Sequence, residues 1–211
     1  MARNSLSAPP RPASVSRFGC ATTISTTPRE IVSMADGSPF AGLTLAPPAA
    51  EVGIELAERE PTAKLVLRGD AADPAFVAAV EESLGLALPR AIGQGAEAGG
   101  VAVLCRGPDE WLVLGAGRLA DGMVVTDVSA AWALLHLSGE RAREVLAKGC
   151  ALDLEVLASG HGRETQLGPV HVIVRRCDAG FDLMFRRSHA RAAWAWLVDA
   201  AGEYGLRWTP S

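Results

Sequence analysis

Apolar and polar positions fall into a regular rhythm from about Ala63 onward. "AKLVLRG" (63–69) alternates as a strand. Asp73 then offers an N-cap with Pro74 at the first helical position, Phe76, Val77, Val80 and Leu84 form an apolar stripe, and Gly85 stops the helix. "VAVLCRGPDEWLVLG" (101–115) is two apolar runs around Gly107-Pro108-Asp109, a hairpin signal. "MVVTDVS" (123–129) reads as a further strand. "AWALLHLSG" (131–139) reads as a strand leading into a helix capped by Ser138, with Ala142, Val145 and Leu146 facing inward and Gly149 closing it. "VHVIVRRCDAGFDLMFRRS" (170–188) is a second hairpin turning near Asp178-Ala179-Gly180. A last helix is expected from Ser188 to about Glu203, with Trp194, Leu197, Ala201 and Tyr204 on its core stripe.

The two halves of this pattern repeat. "LVLRG" (65–69) matches "LHLSG" (135–139), and the hairpin at 101–115 matches that at 171–185 with the same offset, which places Trp111 over Phe181. Each half is roughly strand, helix and hairpin. Such a unit leaves one sheet face bare, and two of them can share a core. The fold class is therefore α+β, one unit over 46–211 made of two pseudo-repeated βα-hairpin halves, 63–128 and 129–208. Residues 1–45 are expected to be a disordered extension, since the Ser/Thr/Pro-rich stretch up to Phe40 has neither period. Two accounts of it stand: a start assigned too early, with Met34 as the true start and "MADGSPFAGL" as the opening, or a tail or targeting segment. It has no apolar core of the kind a secretory signal needs.

Composition narrows the class. The 211 residues carry 20 basic and 24 acidic side chains, a net charge of −4. That balance argues against a nucleic-acid partner, and no stretch is apolar enough to span a membrane. Cys20, Cys105, Cys150 and Cys177 form no CxxC pair and have no His at zinc-site spacing, so they read as reduced thiols of a cytoplasmic protein, and no metal is expected.

The search for catalytic chemistry returns nothing. His136, His161, His171 and His189 are isolated; His136 and His171 read as structural strand residues, and His161 as an exposed loop residue. Asp127 and Asp153 have no visible carboxylate partner, and no Gly-rich phosphate loop follows a strand. The basic residues are almost all Arg and concentrate late, at Arg175, Arg176, Arg186, Arg187 and Arg191. Arg186 and Arg187 end a strand where Ser188 opens a helix, and alternation sends the two guanidinium groups to opposite sheet faces. Arg186, Arg187, Ser188 and Trp196 are therefore the candidate partner interface, with Trp196 as the apolar anchor; solvated surface is the other reading of the same cluster.

"LHLSGERAREVLAKGCALDLE" followed by "TQLGPVHVIVRRCDAGFDLMFRRSHARAAWAWLVDAAGEYG" resembles the gamma subunit of heterotetrameric sarcosine oxidase. The signature parts are "LSG", "AREVLAKGC", "LDL" and "RRS" before a Trp-rich helix, and "SPFAGL" near residue 38 resembles that family's opening. The chain departs from the family after "DVS", at Ala130-Ala131-Trp132, and after "RRS", at His189. The resemblance implies a fold like the folate-binding domain of aminomethyltransferases. It implies a non-catalytic subunit of a complex that demethylates sarcosine oxidatively to glycine, the one-carbon unit passing to tetrahydrofolate or leaving as formaldehyde. The implied partners are the alpha, beta and delta subunits. FAD, FMN, NAD and tetrahydrofolate would sit on the larger ones, zinc on the smallest, and no cofactor on this chain. A stand-alone folate-binding protein of aminomethyltransferase type and a scaffold in another amine-demethylating complex are the alternatives.

Overall fold

Alternation along these strands serves two different layers. In the computed structural model, which describes residues 37–46, 51–59, 63–116 and 119–211, the strands form two sheets. The chain divides into Met1–Ser33 and Met34–Ser211, and everything described belongs to the second unit. Met34 and the rest of residues 1–36 lie outside the described residues.

In chain order the elements are β1 (Ile54–Glu58), β2 (Lys64–Arg68), α1 (Pro74–Leu84), β3 (Gly95–Ala98), β4 (Val101–Gly107), β5 (Glu110–Leu114) and β6 (Val124–Asp127). They continue as β7 (Trp132–Ser138), α2 (Ala142–Ala147), β8 (Gly162–Leu167), β9 (Val170–Cys177), β10 (Gly180–Arg186), α3 (Ala190–Ala201) and β11 (Leu206–Thr209). The six-stranded sheet has the order β11-β1-β7-β10-β9-β8, and the five-stranded sheet β3-β4-β5-β2-β6. All pairings are antiparallel except β1 with β11.

Three apolar clusters define the layers. Leu135, Leu137, Val172, Val174, Phe181 and Leu183 pack under α2 and α3. Leu65, Leu67, Val103, Trp111 and Val113 pack under α1. The alternate residues of the same strands, Leu104, Leu112 and Leu114 from one sheet and Trp132, Leu134, Ile173 and Met184 from the other, meet face to face. The order is helices, sheet, sheet, helix. Because the side-chain period of a strand is two, β5 and β7 must be apolar at nearly every position to serve both neighbours, and they are.

The pseudo-repeat reaches into the pairing. Leu67 lies opposite Trp111 in one sheet, and Leu137 opposite Phe181 in the other, at the repeat-equivalent positions. Both rings are fully buried against the helices; the Trp111 Nε1–H donates to the Pro89 carbonyl at 2.7 Å, so burial leaves no donor unpaired. β1 precedes β2 as β6 precedes β7. Yet β1 pairs with β7 and β6 with β2, so each half lends its first strand to the other half's sheet.

Local signals held at α1, where the Asp73 carboxylate accepts from Ala75 N–H at 2.9 Å and Gly85 takes the left-handed cap at φ 69°. They misplaced other boundaries. Ser138 is the last residue of β7 and not a cap; α2 follows Arg141 with no side-chain cap bond. α3 begins at Ala190, after a 3₁₀ turn over Arg187–His189, two residues later than Ser188. β1 and β11 alternate over only a few residues, Ile54 and Leu56 facing in with Glu55 out, and Leu206 and Trp208 in with Arg207 out, whereas β3 and β8 are short of apolar residues, as edge strands can be. Of the extension expected over 1–45, only residues 37–45 are among the described residues, and Phe40 there is packed into the core. That ring is 1% exposed, meets Phe185 and Trp208 edge-on, and is followed by Leu43 and Leu45 on the same core. Among the described residues no helix is long and apolar enough to cross a membrane.

Phe40→Ala is expected to lower the unfolding free energy by roughly 3–5 kcal/mol, read from denaturant titration, because the cavity opens between the strands and α3.

Candidate functional site

Register places three charged or titratable side chains in a row on the inner face of the six-stranded sheet. His136 of β7 lies opposite Asp182 of β10, and Asp182 opposite Arg175 of β9. All three are buried. Asp182 Oδ1 lies 2.8 Å from His136 Nδ1, and Arg175 donates to Asp182 Oδ2 at 2.7 Å. The second arm of Arg175 crosses to the other sheet and donates to Glu97 of β3 at 2.8 Å. Arg59 approaches from the end of β1, 3.1 Å from His136 Nδ1 and 3.6 Å from Asp182. A carboxylate and a guanidinium cannot both bond one ring nitrogen in a single tautomer. The arrangement assigns the proton to Nδ1, donated to Asp182, with Arg59 serving the carboxylate.

Burial by itself would raise the Asp182 carboxyl; its bonds from His136 and Arg175 more than reverse this and hold it well below the usual carboxylate range. Burial and the Asp182 charge push the Cys177 thiol up to about 12, so it is no nucleophile at neutral pH. The donor atoms of His136, Cys177 and Asp182 lie within 4.8 Å of one another, as metal ligands can. Here the donors are already bonded to one another and to two guanidinium groups, which would repel a cation. The cluster is an inter-sheet strut.

The Arg residues named from sequence diverge as alternation requires. Arg186 lies over the Trp132 ring at 5.4 Å to its centroid, with Arg106 also on that indole at 5.3 Å. Arg187 instead donates to the Gly37 carbonyl. Arg186 and Ser188 are exposed and Arg187 half-buried. A hollow of about 360 Å³ beside them is lined by Arg187, Arg59, Lys64, Glu58 and Trp132. Burial depresses the Lys64 ammonium there, partly offset by Asp127. Trp196 does not join this rim: it is half-buried, and a Cβ added at Gly149 or Gly168 would come within 2.4 Å of its ring. Its indole covers the exit of α2 and the β8–β9 turn. His161 is half-buried, not exposed, with Nδ1 3.2 Å from the Ser159 carbonyl. His171 is exposed in β9, Asp127 accepts from Ser129 N–H, and Asp153 from Glu155 N–H.

Asp182 and the Arg175–Glu97 bridge were not singled out from sequence. The signal was available: a carboxylate inside the apolar run "FDLMF", in a hairpin whose turn at 178–180 sets Arg175 opposite it.

This architecture defines a class. The glycine cleavage system aminomethyltransferase T from Bartonella henselae shares the fold, at TM-score 0.55 and 18% identity over 75% of this chain and 48% of that one. Within that class, residues 68–203 match the sarcosine oxidase, gamma subunit family, and the chain belongs to it. It is 34% identical over 142 residues to the sarcosine oxidase subunit gamma of Arthrobacter sp., 60% of this chain and 70% of that protein. It also superposes on a chain of the heterotetrameric sarcosine oxidase from Corynebacterium sp. U-96, at TM-score 0.70 and 30% identity over 80% of this chain and 95% of that one.

Because the Asp182 carboxyl is depressed on folding, its contribution is present above about pH 4, the range of an unfolded Asp, and is lost as the pH falls further. Asp182→Ala is expected to cost roughly 3–5 kcal/mol at pH 7, leaving Arg175 buried with half its bonds. Asp182→Asn should flatten the acid limb of stability against pH, measured by denaturant titration from pH 3 to 7.

Proposed function

We infer that this chain is a structural, non-catalytic subunit of a heterotetrameric sarcosine oxidase in the cytoplasm. The carrying observation is the match over 95% of a chain of the Corynebacterium heterotetramer. The assembled enzyme would demethylate sarcosine oxidatively to glycine and pass the one-carbon unit to tetrahydrofolate or release formaldehyde. Alpha, beta and delta subunits would hold the FAD, FMN, NAD, tetrahydrofolate and zinc. A supporting role fits the inter-sheet space, which Leu104, Leu112, Leu114, Trp132, Leu134, Ile173 and Met184 fill with side chains. It also fits the Cys177 thiol, which stays protonated.

Arg186, Arg187 and Ser188 are the proposed contact with a larger subunit. Stacking on Trp132 holds the exposed Arg186 guanidinium in place, which lowers the entropy lost when it pairs with a partner carboxylate.

Co-expression with the alpha, beta and delta subunits tests the role: the tagged chain should capture all three, with sarcosine-dependent oxygen uptake in the eluate. Capture of none, together with tetrahydrofolate binding by the isolated chain, would favour the stand-alone aminomethyltransferase-type reading. Within the complex, Arg186→Ala is expected to weaken capture at least tenfold. Arg187→Ala should change the isolated chain's stability by less than about 1 kcal/mol, and Trp196→Ala should lower it by roughly 1–3 kcal/mol without loss of capture.

A further inference from the structure

The connection from α1 to β3 and the connection from α2 to β8 are equivalent in the pseudo-repeat, and they meet. Gly162 N–H donates to the Gly93 carbonyl at 3.0 Å, and a Cβ on Gly95 would fall 1.9 Å from the Gly160 carbonyl oxygen. Only glycine permits that approach, so the junction is a backbone-to-backbone contact with little side-chain cover. Beside it runs a hollow of about 490 Å³, continued by one of about 250 Å³. Ile92 and Val156, which line the first, are 51% and 77% exposed, two of the three exposed large hydrophobic residues among the described residues. Leu152 and Leu157 extend the apolar wall.

The charges in this groove are unequally engaged. The Arg163 side chain lies over Gly93, where a Cβ would fall 2.5 Å from its Nε, and it lines both hollows. Among the described residues Arg163 makes no ion pair. Of the groove's carboxylates, Glu164 pairs with Arg106 and Asp153 accepts from Glu155 N–H. An apolar trough with one uncommitted guanidinium calls for an apolar segment bearing a carboxylate.

We propose that this groove is a second docking site, for an apolar, carboxylate-bearing segment of another subunit of the complex. The inference rests on the reading of the chain as a subunit, and it involves residues separate from the Arg186 rim.

A benzophenone side chain placed at Val156 of the full chain, co-expressed with the other three subunits and irradiated, should cross-link to a larger subunit. Arg163→Glu and Val156→Asp should each weaken capture at least tenfold, Arg163→Lys should retain most of it, and the isolated variants should melt within about 2 °C of wild type. A cross-link only to a second copy of this chain, or unchanged capture by both variants, overturns the proposal and leaves the subunit reading standing. A wild-type chain that captures no subunit overturns both.

Discussion

Each sheet of this protein is covered on both faces, and that constraint shapes almost everything else. A strand that packs against helices on one side and a second sheet on the other has no face left for water. Its polar residues must sit at its ends or find partners inside. β7 meets this with Leu135 and Leu137 under the helices and Trp132 and Leu134 toward the opposite sheet. The exchange of β1 and β6 between the halves strengthens the demand. Neither sheet is complete without a strand from the other half, so the inter-sheet core and the two outer cores form together.

The strut of His136, Asp182, Arg175 and Glu97 is the polar answer to the same constraint. Buried ion pairs bring little net stability, because desolvation opposes the Coulomb gain, but removing one partner is costly. Here the pairing fixes relative position. Asp182 is reached by Arg175 from the next strand, and Arg175 reaches Glu97 across the sandwich, so sliding one sheet over the other would strand a buried charge. The same bonds quench reactivity: the carboxylate is fully engaged and the nearby thiol stays protonated.

With the inter-sheet space filled by side chains, the surface is where this chain can interact. Its two candidate contact regions differ in construction. At one, strand alternation splits Arg186 from Arg187 and a tryptophan holds the first in a fixed pose. At the other, equivalent loops of the two halves touch through glycines and leave apolar side chains and Arg163 in water.

Much of the local structure was legible in the residues. Asp73-Pro74 and Gly85 bound α1, and the turns at 107–109 and 178–180 and the strong strands β2, β4, β5, β7, β9 and β10 follow from short-range sterics and period-two patterning. The repeat was legible too, because Trp111 and Phe181 answer the same packing demand. Edge strands β3 and β8 were not legible, since neighbouring strands, and not their own alternation, hold them in the sheet. Ser138 and Ser188 looked like caps because capping residues are common there; the tertiary path continued β7 and inserted a 3₁₀ turn instead. Trp196 looked free until two glycines far away in sequence came under its ring. The inter-sheet strut also waited on the fold: sequence sets which face each side chain takes, but only the stacking of the sheets decides that Glu97 meets Arg175. Which face of a strand points inward is a property of neighbouring residues, whereas what lies opposite it depends on contacts between residues distant along the chain.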